Sequence, residues 1–262
     1  MAGRKGYPAI FEKQNIFRIL IIAVCAVTVI LSAVFGNDVK AVVCGYAIRK
    51  TPIYSVDRDD KKIAISFDCA WGNEYTAKLL ETMKEYGVKC TFFAVSFWVE
   101  KYPDDLKEIV KNGHEVGTHS KTHPQMSKLS AEQIDYELEY SCNAIENITG
   151  KKVDLFRPPF GDYNNRLIER AENRGLYTIQ WDVDSLDWKN LSAKEIALRV
   201  ISKTKSGSII LCHNNGLHTA ESLPLIFADL IGKGYEFVPI GELIYKDGYK
   251  IAADGRQVKN IG

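Results

Sequence analysis

The sequence predicts an α/β fold with a mainly parallel sheet, preceded by one N-terminal transmembrane helix. Residues 19–36 form an uncharged apolar run. After about residue 60, short apolar runs typical of strands alternate with amphipathic stretches typical of helices. Residues capable of chemistry cluster where the strand-like runs end. Together these observations predict a membrane-anchored α/β domain with a reactive rim.

The apolar run is long enough to cross a bilayer core, which takes about 20 residues. Four basic residues precede it, Arg4, Lys5, Lys13 and Arg18. This charge bias predicts a single-pass membrane protein with residues 1–18 in the cytoplasm, a signal anchor over 19–36 and the rest outside the cytoplasm. A cleaved signal peptide shares these features, but no clean small-x-small cleavage site follows the run. Residues 37–60 form a connector without clear periodicity.

Residues 61–245 form one predicted domain, and residues 246–262 a C-terminal tail. The seven strand candidates of the domain are "KKIAISFD", "CTFFAV", "HEVGTHS", "VDLFRPPF", "YTIQWDVD", "SIILCH" and "YEFVPI". Strands that are apolar almost throughout and separated by helices favour parallel pairing with both faces covered. Seven such units fit an open doubly wound sheet or an incomplete (β/α) barrel.

Helix signals fill the intervals between these strands. "EYTAKLLETMKEYG" ends at Gly87, Pro103 breaks or starts a helix, and Ser130 with Gln133 forms a capping box ahead of a long helix. The remaining helices are predicted near "NNRLIERAENRG", "SAKEIALRVISKTKSG" and "ESLPLIFADLIGKG". Each predicted strand is thus followed by a helix, apart from the last.

Composition and motifs exclude several classes of function. With 34 basic and 33 acidic residues the formal net charge is +1, so the chain has no basic excess to hold nucleic acid. No GxGxxG or GxxxxGK[ST] follows the first strand, which argues against a dinucleotide or P-loop site. No GxSxG elbow is present either, which argues against a serine hydrolase.

Polar groups follow five of the strands. The first ends in Asp68 and Cys69, and later ones run into "GTHSKTHP", "RPPFGDYN", "DVDSLDW" and "LCHNNG". In parallel barrels the reactive groups lie at the carboxyl ends of the strands. This placement favours the barrel over the open sheet and predicts one site on one rim.

Histidines, aspartates and an arginine at this rim suggest roles. His119 and His123 have a spacing that suits a metal pair, although two loop histidines bonded to the backbone would look the same. His213 closes an apolar strand and could donate a proton, with Asp184 or Asp187 favouring its charged form. Arg157 beside Asp68 would keep that carboxylate ionised, or would form a purely structural ion pair. His114 and His218 lack such a context.

These segments resemble the polysaccharide deacetylases, carbohydrate esterase family four, over roughly residues 60–242. "SFDCAWG", "HSKTH", "RPPFG", "DSLDW" and "LCH" are similar to its five ordered motifs. The resemblance implies a distorted seven-stranded barrel and metal-assisted hydrolysis of N-acetyl groups on amino-sugar polysaccharide. The expected partner is an N-acetylated cell-wall glycan, peptidoglycan above all.

The resemblance also implies a role for each matching residue. Asp68 would be the general base, His213 the general acid, Asp187 its tuning partner and Arg157 the group that orients Asp68. Phe160 would supply an oxyanion N–H, and Trp188 and Leu211 would wall the acetyl pocket. The metal, expected to be zinc, would be held by His119, His123 and the residue at position 69.

Position 69 departs from the family pattern, because the family has a second aspartate there and this chain has Cys69. The thiolate could bind zinc, Asp68 could move into the metal sphere, or the metal could be lost. The "CAWG" of residues 69–72 resembles a sporulation-associated subgroup anchored by one N-terminal segment. The alternative to an enzyme is therefore a glycan-binding or morphogenetic protein with impaired catalysis.

Overall fold

The computed structural model describes residues 19–28 and 49–260. The chain divides into two compact units, residues 1–49 and 50–262. In the first unit, residues 19–28 form a helix, and the rest of the predicted anchor over 19–36 lies outside the described residues. No helix within the described ranges is long and apolar enough to cross a membrane. Much of the predicted connector over 37–60 likewise lies outside the described residues.

The second unit is built on a parallel sheet that forms a half-barrel. Its strands are β2 (Lys62–Cys69), β3 (Thr91–Ala94), β4 (Glu115–Thr118), β5 (Leu155–Phe156), β6 (Tyr177–Thr178), β7 (Val183–Asp184), β8 (Ile209–His213) and β9 (Glu236–Phe237). Their hydrogen-bonded order is β6-β5-β4-β3-β2-β8-β7, with β9 added along the start of β2. Every pairing in it is parallel, as the apolar strand runs predict.

Helices follow the strands, as predicted. They are α1 (Thr76–Glu85), α2 (Ser96–Lys101), α3 (Pro103–Lys111), α4 (Ala131–Thr149), α5 (Asn165–Asn173), α6 (Ala193–Lys203), α7 (Thr219–Gly232) and α8 (Ile240–Leu243). Pro103 starts α3 at its first position, and the capping box of Ser130 and Gln133 is present at α4. Gly87 has the positive φ of a helix terminator.

Side-chain alternation along β2 separates two apolar clusters. Ile63, Ile65, Phe67 and Cys69 belong to the larger cluster, which includes the buried faces of the helices. Ala64 belongs to the smaller cluster inside the half-barrel, together with Phe93. Successive residues of a strand point to opposite faces, so this alternation also fixes the side on which the residues at the end of β2 lie.

The fifth strand candidate, "YTIQWDVD", divides into two strands at opposite edges of the sheet. β6 pairs with β5, and β7 pairs with β8. Residues 179–182 cross between the edges: the N–H of Ile179 donates to Phe156 O, and the N–H of Asp182 donates to Ile209 O. The sheet therefore has eight strands instead of the predicted seven, because one apolar run supplies two edges.

A small second sheet lies beside the half-barrel. β1 (Ser55–Val56) pairs in parallel with β11 (Arg256–Lys259), which pairs antiparallel with β10 (Tyr249–Ile251). The last two strands form a hairpin within the stretch predicted as a C-terminal tail. The buried amide of Gln257 fixes this hairpin, because it both accepts from and donates to the backbone of Tyr245.

Candidate active site

The structure brings the sequence-predicted acid and base onto adjacent strands. Asp68 in β2 and His213 at the end of β8 are direct partners in the parallel register. Arg157 follows β5, and His119 follows β4. Because all these strands run in the same direction, their carboxyl ends place the side chains at one rim.

A buried ion pair holds Asp68. The fully buried Arg157 donates from Nη1 to Asp68 Oδ1 at 2.8 Å and from Nη2 to the Gln180 carbonyl at 3.2 Å. Its guanidinium lies 4.1 Å from the centre of the Phe93 ring. Burial raises the pKa of Asp68, but the guanidinium of Arg157 and the imidazoles of His119 and His213 outweigh burial and lower the pKa overall. Asp68 is therefore a carboxylate at neutral pH.

A second pair, with the fully buried Asp187, holds the partly buried His213. Its Nδ1 lies 2.7 Å from Asp187 Oδ1, and its backbone N–H donates to Oδ2 of the same carboxylate at 2.7 Å. The hydroxyl of Thr219 also donates to Oδ2 at 2.7 Å. Burial lowers the pKa of His213, but the hydrogen bond and charge of Asp187 raise it more, so the net pKa is raised. The imidazole is thus prepared to hold a proton.

Asp184, the other predicted partner of His213, instead accepts a hydrogen bond from the backbone of the turn that follows β7. Its Oδ1 accepts a hydrogen bond from the N–H of Leu186 at 2.9 Å. Leu186 has φ 55°, a left-handed conformation that the side-chain bond helps to hold. Asp184 therefore shapes the turn that delivers Asp187, and Asp187 makes the contact with the imidazole.

The two predicted metal histidines lie side by side. Their ring centres are 5.0 Å apart. His119 Nδ1 lies 2.7 Å from the Arg157 carbonyl oxygen, which can only accept, so Nδ1 carries the proton and Nε2 keeps its lone pair. His119 Nε2 is 3.5 Å from Asp68 Oδ2. Hydrogen bonding of one imidazole nitrogen to a carbonyl is the arrangement that orients metal-binding histidines.

Both histidines are neutral near pH 7. Burial lowers the pKa of His119, with partial compensation by Asp68. Burial, together with the neighbouring imidazole of His119, lowers the pKa of His123 to about 4. Neutral imidazole is the form that binds metal ions. These two residues therefore fit two of the three predicted metal ligands.

Cys69 is not brought together with the histidines. It is fully buried in the helix-side cluster, on the face of β2 opposite Asp68, and its Sγ lies 3.8 Å from the Phe67 carbonyl oxygen. Burial, and then the charges of Asp68 and Asp105, raise the pKa of the thiol well above its usual value. Only the thiolate is a good ligand, and this environment keeps the thiol protonated.

The predicted ligand set of His119, His123 and Cys69 thus does not fit a three-ligand metal site. In residues 19–28 and 49–260, no group of three or more His, Cys, Asp or Glu side chains is arranged to hold a metal ion. The physical reason is that β2 still pairs with β3 at position 69, so the Cys69 side chain lies on the same face as Phe67 and opposite Asp68. The zinc expected from the sequence remains a prediction.

The predicted oxyanion residue, Phe160, and the predicted wall residues, Trp188 and Leu211, differ in exposure. Phe160 is 64% exposed with φ 60°, and its ring packs edge-on against His123 with centres 4.5 Å apart. Trp188 is 56% exposed in the turn that follows Asp187, whereas Leu211 is buried in β8. Large exposed aromatic rings next to buried polar groups are typical of a ligand-binding mouth.

Sequence reasoning missed several residues that position the site. Thr219 and Gln180 hold Asp187 and Arg157, as described above. Asn214 is fully buried and donates from Nδ2 to the Gly72 carbonyl at 2.8 Å, which fixes the loop after Cys69. Its place directly after His213 was the available signal. The partners of Thr219 and Gln180 lie more than 20 residues away and gave none.

Comparisons with known proteins identify the family of this chain. The profile of the family described as Polysaccharide deacetylase matches residues 55–179. The chain is 33% identical to the peptidoglycan-N-acetylglucosamine deacetylase of Bacillus cereus, over 73% of this chain and 92% of that protein. The chain belongs to the polysaccharide deacetylase family. It is also 36% identical to the uncharacterized protein YlxY of Bacillus subtilis, over 79% of this chain but 65% of that relative's length.

A solved family member supports the half-barrel and bears on the activity of this one. Wild-type BA3943 of Bacillus anthracis, described as a pseudoenzyme of carbohydrate esterase family four, is 36% identical with a TM-score of 0.72. The match covers 74% of this chain and 69% of that one. A mutant of BA3943 is described as having restored enzymatic activity, with 37% identity to this chain. Membership of the family therefore does not by itself establish turnover.

Proposed function

We propose that this polysaccharide deacetylase-family protein hydrolyses N-acetyl groups on amino-sugar chains of the cell wall, peptidoglycan above all. The observation that carries the proposal is the direct register pairing of Asp68 and His213. Each residue of the pair has a buried partner that holds it in the state the reaction needs, ionised for Asp68 and protonated for His213.

The chain's own residues account for the proton transfers of amide hydrolysis. Asp68 takes a proton from the attacking water, and Arg157 keeps this carboxylate ionised between turnovers. His213 gives its proton to the leaving amine, and Asp187 keeps the ring oriented through Nδ1. The N–H of Phe160 is proposed to stabilise the oxyanion, as the family resemblance implies. Hydrolysis of an amide depends on all three contributions.

The location and anchoring are also part of the proposal. The apolar run over 19–36, with four basic residues before it, supports an anchored protein whose domain lies outside the cytoplasm. Cell-wall glycan is found on that side of the membrane. A link to sporulation is supported only by the resemblance of residues 69–72 to that subgroup.

Acetate release tests the activity. The purified full-length protein, incubated with peptidoglycan or N-acetylglucosamine oligomers and a series of divalent metals, is expected to release acetate. His213→Ala should abolish the release without loss of glycan binding, since the acid is needed for departure of the amine. If the unchanged protein releases no acetate with any metal, hydrolysis is refuted.

A second function, glycan binding without turnover, is favoured by the placement of Cys69. A protonated thiol in the helix-side cluster leaves the two histidines without the third ligand predicted from the sequence. The rim with Asp68 and His213 and the exposed aromatic rings beside it would still bind an N-acetylated sugar. Retention of the protein on insoluble peptidoglycan in the presence of a chelator, without acetate release, would support this function over hydrolysis.

A further inference from the structure

Two exposed aromatic side chains lie beside the rim and have no role in the chemistry described above. Trp71 is 57% exposed and follows the end of β2, while Phe97 is 36% exposed in α2, which follows β3. Their ring centres are 6.2 Å apart, with the planes tilted by 46°. Because β2 and β3 are neighbours, the two rings come from adjacent strand ends and form one apolar surface.

Hydrogen bonds from two buried side chains hold the backbone next to Trp71. The carbonyl of Gly72 accepts two hydrogen bonds, from Trp98 Nε1 at 2.7 Å and from Asn214 Nδ2 at 2.8 Å. Both donors belong to buried residues. Gly72 itself has φ 65°, which a glycine adopts without strain. An indole that is held by an anchored loop and yet faces solvent loses little entropy when a ligand packs on it.

The pair is continuous with the candidate active site. The Trp71 ring packs edge-on against His123 with centres 5.0 Å apart, and His123 packs against Phe160 at 4.5 Å. The rings therefore form a row from Phe97 through Trp71 and His123 to Phe160. A linear polymer with one unit at the acetyl pocket would extend along such a row.

We infer that Trp71 and Phe97 form a stacking platform for the sugar next to the one whose acetamido group meets Asp68 and His213. The apolar C–H face of a pyranose packs on an aromatic face, and its hydroxyls stay in water. Trp has the largest face of any side chain and gains most from such partial burial. This inference rests on the proposed function, because it assigns the neighbouring unit of the same glycan.

The platform is tested by binding of the N-acetylglucosamine tetramer and monomer to the full-length protein, measured by calorimetry. Trp71→Ala should weaken tetramer binding about tenfold and leave monomer binding unchanged, since the monomer occupies only the acetyl pocket. Trp71→Phe should retain most of the affinity. Leu225→Ala is the matched control, because Leu225 is 48% exposed in α7 and takes no part in the aromatic row.

Three outcomes overturn the inference in distinguishable ways. Tetramer binding by Trp71→Ala that equals the unchanged protein refutes the platform and leaves the proposed function standing. An equal loss for tetramer and monomer shows that Trp71 serves the acetyl pocket instead. If the unchanged protein binds no tetramer, the proposed function fails and the platform fails with it. The melting temperature of each variant shows whether a loss of affinity comes from unfolding.

Discussion

Replacing Arg157 by methionine is the sharpest test of how the rim is built. The change keeps an apolar stem against Phe93 but removes both hydrogen bonds of the guanidinium. Asp68 is only 7% exposed, so its carboxylate would lie buried without its main counter-charge. Breaking a buried pair in this way costs about 3–5 kcal/mol. Such a loss is a large part of the roughly 5–15 kcal/mol that stabilises a domain.

The sign of the pH dependence follows from the lowered pKa of Asp68. In the unchanged protein the carboxylate stabilises the fold above its unfolded pKa, and this contribution is lost as pH falls through the folded pKa. In Arg157→Met, burial raises the pKa of Asp68, so the carboxyl binds a proton on mild acidification and the cost is relieved. The stability difference should therefore be large at about pH 7 and smaller at about pH 4.

Urea denaturation followed by circular dichroism measures both effects. Arg256→Met is the matched control, because Arg256 forms an exposed ion pair with Asp57 at 3.1 Å, and its loss should cost at most about 1 kcal/mol. Adding Asp68→Asn to Arg157→Met should recover part of the lost stability. A loss below about 1 kcal/mol at pH 7, comparable with an exposed pair, would refute the buried-pair reasoning.

Three further predictions concern Cys69 and the acid. The zinc content of Cys69→Ala, measured by metal analysis, should equal that of the unchanged protein, because the thiol lies away from the histidines. His119→Ala should lose any bound zinc. The reverse result would show that Cys69 is a metal ligand. In the native protein Cys69 should resist alkylation by iodoacetamide at about pH 8 and react only after unfolding, as mass spectrometry of the peptide would show. Asp187→Asn should move the alkaline limb of the pH profile of turnover to lower pH, because the raised pKa of His213 depends on Asp187. An alkaline limb that does not move would contradict that dependence. The His213–Asp187 pair also stabilises the fold below the unfolded pKa of His213, and this stabilisation is lost as pH rises through the folded pKa.

Much of the site could be predicted because apolar strand runs end in polar residues that the sequence shows directly. "ISFD" and "IILCH" each close with the residue that reaches the rim, and the structure puts Asp68 and His213 in register. The order of the strands in the sheet is not encoded in any one run. The division of "YTIQWDVD" between two edges therefore needed the tertiary structure, as did the hairpin of β10 and β11.

The position of the Cys69 side chain could not be predicted from the residues around it. Cys69 lies on the face of β2 opposite Asp68 only because the strand continues through position 69, and the sequence does not show where the strand ends. The resemblance placed position 69 among the metal ligands, whereas the register of β2 with β3 extends pairing to Cys69 itself. Because the pairing of β2 includes position 69, the Cys69 side chain lies away from His119 and His123 and cannot bind the same metal ion.

The crossing segment over residues 179–182 makes the site sensitive to a single cut. It ties together two edges of the half-barrel, and the Gln180 carbonyl within it also receives Arg157. A protease nick there would free both edges and loosen the partner of Asp68 in one event. A nick in the turn between β10 and β11 would leave every residue of the rim in place. Ile179 and Gln180 are buried, whereas Ala253 and Asp254 in the turn between β10 and β11 are exposed, so a protease is expected to cut first where the rim is not affected.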